Sequence, residues 1–260
     1  MKKFFLLLDQ LTYIPVPKKL TAPLDQFPKA LRYLPLLGLL IGAVLYFTAR
    51  LVTVMPASGG AAVLLGMHLL CGGARLLRDL MTVASGISVD PLYSDENTKP
   101  LPPTNPDNEK ELTAKAWRFN TSRAGLVWGG IWVAALYFLY LVFLTSDKLS
   151  EFVFICCPVI SYWLMSWLIY YFYAVPPAWL HRNFRRRDFV VSSVLALVSI
   201  CFFSSPALYI AVMTAFLGIY IFGTYRQRTA GGLDDVCYGA ACAWAHVLFL
   251  LAWFTCDRFI

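Results

Sequence analysis

The sequence predicts an all-α fold, a polytopic bundle of membrane-spanning helices, on three observations. Its 260 residues are 59% hydrophobic and only 14% charged, a balance outside that of soluble domains. Several apolar runs reach the ~20 residues that a helix needs to cross the hydrocarbon core of a bilayer. The strand signal is weak, and a segment inside lipid must pair its amides within itself unless a barrel closes, which leaves helices.

Run length and the breaks between runs place seven spans, at about 34–55, 57–74, 125–146, 151–174, 189–205, 206–224 and 236–256. Alternate loops then lie on opposite sides. All 22 basic residues except Arg50, Lys148 and Arg258 fall on the side that holds the N-terminus. The positive-inside rule makes that side cytoplasmic and puts the C-terminus on the other. The net charge of +7 is therefore a product of topology, which removes the case for a nucleic-acid partner and leaves membrane lipid as the anionic surface. The whole chain, 1–260, reads as a single membrane domain, and nothing in it fixes a monomer or an oligomer.

Residues 1–33 are amphipathic, and Pro15, Pro17, Pro23 and Pro28 forbid one long helix there. Leu11 to Lys18 reads as an interfacial element whose lysines face lipid headgroups. Met1 to Leu8 opens like a signal peptide, but Asp9 and Gln10 interrupt its apolar core, so the segment is expected to be retained. In the first span, Gly38 and Gly42 have the four-residue spacing that lets a second helix approach closely.

The second span carries His68, alone in an apolar run and best read as a hydrogen-bonded packing residue. Beyond it, Arg75 and Asp79 are four apart and can pair on one helix face at the cytoplasmic boundary, with Arg78 beside them. Residues 86–120 form the long polar cytoplasmic loop; Asp90 and Asp95 within it are candidate metal ligands, or members of a solvated face. The chain re-enters the membrane at Ser122, Arg123 and Gly125. A planar guanidinium beside the open N–H groups of a helix start suits a phosphate.

The basic loop from His181 to Arg187 reads as a determinant of topology, and Trp163, Trp167, Tyr170, Tyr171 and Tyr173 as an aromatic belt. The seven cysteines are scattered without a CxxC pair, so they read as small packing residues and imply neither zinc nor a disulfide framework. The most informative stretch is Tyr225 to Asp235. It sets Arg226 and Arg228, the flexible pair Gly231 and Gly232, and the carboxylates of Asp234 and Asp235 at the mouth of the last span. That combination suits anionic chemistry at a membrane surface.

Four pieces, in order along nearly the whole chain, resemble the cobalamin synthase family of multipass transferases. Leu11 to Pro17 is similar to its Thr-Arg-Leu/Ile-Pro-Val-Pro opening, and Leu34 to Gly42 to its Pro-Leu-hydrophobic-Gly-Leu-hydrophobic-Gly run. Ser122 to Gly125 resembles Asp-Ser-Arg-hydrophobic-Gly, and Thr229 to Ala241 resembles Gly-Gly-x-Thr-Gly-Asp-x-x-Gly-Ala. The chain departs from the family after the second span, where no register places acids at its three Asp positions. In the tail, Asp235 stands one residue before the family's Asp.

The resemblance implies transfer of adenosylcobinamide phosphate from its GDP derivative to α-ribazole or its 5'-phosphate, with GMP leaving. It implies Mg²⁺, with Asp79 and Asp235 as ligands, and Asp79, Asp234 and Asp235 in catalysis. Arg75, Arg78, Ser122, Arg123 and Gly125 would hold diphosphate, and Gly231 and Gly232 would let backbone approach it. The implied setting is the bacterial inner membrane, with the site facing the cytoplasm. Two alternatives remain open on the sequence. One is a degenerate paralogue that binds a corrinoid or a membrane partner. The other is a CDP-alcohol-type phosphotransferase, whose motif Ala74-Arg75 and Gly86 to Asp90 echo.

Overall fold

The computed structural model describes residues 2–12, 14–23, 26–85, 123–146, 151–172, 174, 184–203 and 205–259. Every regular element among them is a helix: α1 Lys2–Leu11, α2 Phe27–Ala30, α3 Leu34–Val52, α4 Ala57–His68, α5 Ala74–Ala84, α6 Arg123–Thr145, α7 Val153–Tyr171, α8 Arg186–Ile200, α9 Pro206–Ala230 and α10 Asp235–Phe259. The loop 86–120 lies outside the described residues.

Among the described residues, six stretches are long and apolar enough to cross a membrane: Phe27–Val52, Ala57–Ala84, Arg123–Thr145, Val153–Tyr171, Pro206–Ala230 and Asp235–Asp257. The fifth expected span differs. It is α8, a helix of 15 residues, roughly 22 Å long at 1.5 Å per residue. At its start the Asp188 carboxylate lies 3.7 Å from the Arg32 guanidinium, just before α3. A 3₁₀ extension, Cys201–Phe203, brings the Phe203 ring to 4.7 Å from that of Phe152, which itself stacks on Tyr46 of α3. Helix and extension together thus run the height between the two ends of α3.

The centre belongs to α7 and α10, each 78% buried along its apolar window, against 33% for α6 and α9. For α10, small residues account for the depth. Helices gain nothing from hydrophobic burial against one another in lipid, so small residues that let backbones approach closely favour packing. On α10, Gly239, Ala240, Ala241, Ala243 and Ala245 are all buried. The pair on α3 acts as its spacing predicts: a Cβ at Gly38 would lie 2.6 Å from the Pro158 carbonyl oxygen of α7, and one at Gly42 would lie 2.8 Å from Ile155 Cα.

Two departures from the sequence reading bear on the site. The second span does not end at residue 74. It passes through a π turn, Leu69–Gly73, in which Gly72 takes φ 136°, and continues as α5 to Ala84. An inserted residue of this kind breaks the ladder of a helix and re-aims the turns beyond it. The N-terminal segment is also more than a surface strip. Leu6, Leu7 and Leu8 of α1 enter the core and Thr12 is buried, while Lys18 and Lys19 stay exposed. The carbonyl of Leu11 reaches the π turn, 2.9 Å from where a Cβ of Gly72 would stand.

Candidate functional site

Past the π turn, α5 runs alongside α10. Asp79 meets α10 at Gly239, where an added Cβ would lie 2.8 Å from both Cβ and Cγ of Asp79 and would collide with Oδ2. Arg78 donates from Nη2 to Asp79 Oδ1 at 3.5 Å. Arg75 and Asp234 lie within electrostatic reach of the same carboxylate. On its inner side stand Tyr162 of α7 and Cys242 of α10.

The turn between α9 and α10 supplies the opposite wall. Gly231 ends α9 at φ 73° and Gly232 comes next at φ 157°, conformations that a side chain resists. Leu233 is fully buried and its backbone makes an isolated parallel bridge to Ala174. Asp234 then starts α10: its Oδ1 accepts the N–H of Cys237 at 2.8 Å, an N-cap bond. Its Oδ2 faces Arg226 Nη2 at 3.8 Å. Arg226 Nε is buried and has no hydrogen-bond partner. Asp235, the first residue of α10, is exposed.

The start of α6 closes the third side. A Cβ on Gly125 would collide with the Ser85 Oγ and the Met81 carbonyl, and one on Gly129 would lie 2.7 Å from Met81 Cγ. The first turns of α6 therefore press on the end of α5, which puts the exposed Arg123 at the same end of the bundle. Chemically, this end offers guanidinium groups for phosphate oxygens, carboxylates from two separate helices, and a glycine turn with backbone N–H groups.

A family model described as Cobalamin-5-phosphate synthase matches residues 3–87 and 119–254. The chain belongs to that family. The match takes in α5, the start of α6 and the turn into α10, so every wall of the site lies inside it. The chain is also similar to the adenosylcobinamide-GDP ribazoletransferase of Desulfitobacterium hafniense (strain Y51), 26% identical over 268 residues that cover 98% of this chain and 97% of that one. No solved structure matches the chain.

In this cobalamin synthase family member, Arg75, Arg78 and Asp234 lie within electrostatic reach of Asp79, and Gly231 and Gly232 form the turn just before Asp234. Gly125 acts as a contact between helices. Ser122, Asp90 and Asp95 lie outside the described residues. The carboxylate of Asp79 stands 3.5 Å from Arg78, and Arg75, four residues before it, attracts it electrostatically as well. Gly239 was not singled out from the sequence, where it is one of many small residues on an apolar helix; Arg226 was read there with Arg228 as part of the basic mouth of the last span.

Among the described residues, no three His, Cys, Asp or Glu side chains stand together to cage a metal ion. Mg²⁺ does not demand such a cage, since it commonly takes one or two carboxylates and completes its shell with water and substrate phosphate. Asp235 lies one turn before Gly239 on α10, the residue on which Asp79 is seated. Asp234 is engaged in capping and in facing Arg226.

Proposed function

We propose that the protein joins the two halves of cobalamin's lower loop. A ribose hydroxyl of α-ribazole or its 5'-phosphate attacks the corrinoid-side phosphorus of adenosylcobinamide-GDP. One P–O bond forms to the ribose, the P–O bond to GMP breaks, and the hydroxyl proton passes to a base. The family's description, a synthase of cobalamin 5-phosphate, favours the 5'-phosphate as acceptor, because that phosphate then survives in the product.

In this reading Arg75, Arg78 and Arg123 hold the diphosphate. Arg226, with its orphaned Nε, neutralises charge on the leaving phosphate, since a fixed guanidinium needs no reorganisation when that charge develops. Asp79 orients the attacking hydroxyl and takes its proton. Gly231 and Gly232 allow backbone N–H groups to approach phosphate oxygens. Mg²⁺, when bound, would be held by Asp79 and Asp235 and would lower the cost of bringing a nucleophile to an anionic phosphorus.

The observation that carries the reading is the meeting of α5 with the start of α10, which sets an acid and three arginines from distant parts of the chain at one end of the bundle. The asymmetry of basic residues supports a bacterial cytoplasmic membrane with that end inside. The test uses the purified protein in detergent with Mg²⁺, adenosylcobinamide-GDP and α-ribazole 5'-phosphate. Joined product and GMP in equal amounts are expected. Corrinoid binding without turnover at any Mg²⁺ concentration would instead mark a degenerate paralogue.

A further inference from the structure

We infer that Gly239 is a positioning residue for Asp79, a role that rests on the transferase reading above. The carboxylate of Asp79 lies directly on the backbone of α10, in the space that any side chain at 239 would fill. A Cβ there would stand 2.8 Å from Asp79 Cβ and Cγ and would overlap Oδ2. The backbone of α10 cannot yield, because the flanking Tyr238 and Ala240 are fully buried and Asp234 ties the start of the helix to Arg226. α5 is constrained from the other side, where Gly125 and Gly129 of α6 press on Met81. A Cβ at 239 must therefore displace the carboxylate itself.

The direction of that displacement matters. Seated on Gly239, the carboxylate stands 3.5 Å from Arg78, its attraction to Arg78 and Arg75 set against the like charge of Asp234. Pushed off it, Asp79 swings away from α10. Gly239 thus fixes where the acid of α5 stands against α10 without touching substrate.

A glycine that merely lets two helices pack closely would look the same in a single variant, so the test is a double-mutant cycle. Gly239→Ala, Asp79→Gly, which removes the Cβ, Cγ and Oδ2 that a side chain at 239 would meet, and the double variant are assayed for transfer and for detergent melting temperature. Gly239→Ala is expected to lower kcat/KM by about 10²-fold, the scale of loss when a reacting group is misplaced by about 1 Å. In the Asp79→Gly background the same change should alter kcat/KM less than about twofold, because the groups act as a unit.

If Gly239→Ala alone fails to fold, the double variant should regain a melting transition, since its collision partner is gone. Equal losses from Gly239→Ala in both backgrounds, an unchanged Gly239→Ala enzyme, or a double variant that stays unfolded would each overturn the role. A wild-type chain without turnover would remove the transferase reading first, and this role with it.

Discussion

The guanidinium of Arg226, near the end of α9, stands 3.8 Å from the carboxylate of Asp234 at the start of α10. The contact ties the two sides of the Gly231–Gly232 turn together, and Asp234 also caps the helix that carries Gly239. One acid therefore stiffens the wall against which the other, Asp79, is seated.

Arg226→Ala removes both the tie and the orphaned Nε. Loss of one fixed electrostatic donor commonly costs about 10²-fold in kcat. Steady-state assays should find that loss in kcat more than in KM, with partial recovery in Arg226→Lys.

Arg123 sits exposed at the first turn of α6 and is assigned to ground-state diphosphate binding. Arg123→Ala should raise KM for the GDP derivative by about tenfold or more, the scale of one lost bond to a charged group, while kcat falls less. Unchanged kinetics would return Arg123 to the charges that set topology.

Packing makes a prediction free of the chemistry. Gly38→Ala drives a Cβ into the Pro158 carbonyl of α7, whereas a Cβ at Gly59 meets open space. Gly38→Ala should destabilise the protein by about 1–3 kcal/mol, as overpacking does. Gly59→Ala should leave the detergent melting temperature unchanged or raise it, because Ala is the better helix former.

The helical architecture and the two helix contacts of α3 were legible in run length and in the spacing of Gly38 and Gly42. The π turn was not, although Cys71-Gly72-Gly73 marks it, because apolar periodicity continues across it. The convergence of Asp79 with Gly239 was hidden for a related reason. Local rules such as i, i+4 pairing see only partners within a helix, and this one comes from the other end of the chain. His68 shows both sides of this: its hydrogen-bonded packing role was legible, but its partners were not. Tyr140 of α6 binds its Nδ1 at 2.9 Å, and the His246 ring of α10 stands 5.0 Å away.

The buried contact between Tyr140 and His68 is open to a stability test. Tyr140→Phe keeps the ring but leaves a His68 ring nitrogen without its partner, at a cost of about 1–3 kcal/mol. The melting temperature should fall while KM stays unchanged, since the pair lies away from the proposed site.

The site exists only if α5, the start of α6 and the turn into α10 meet at one face of the membrane. Single cysteines at Ala124 and Arg228, and one at Arg50 for the opposite end, can be introduced with Cys201→Ser as background and challenged with an impermeant maleimide. Ala124→Cys and Arg228→Cys should label only in inverted vesicles, and Arg50→Cys only in intact spheroplasts. Labelling of Ala124→Cys and Arg228→Cys from opposite faces would contradict the site.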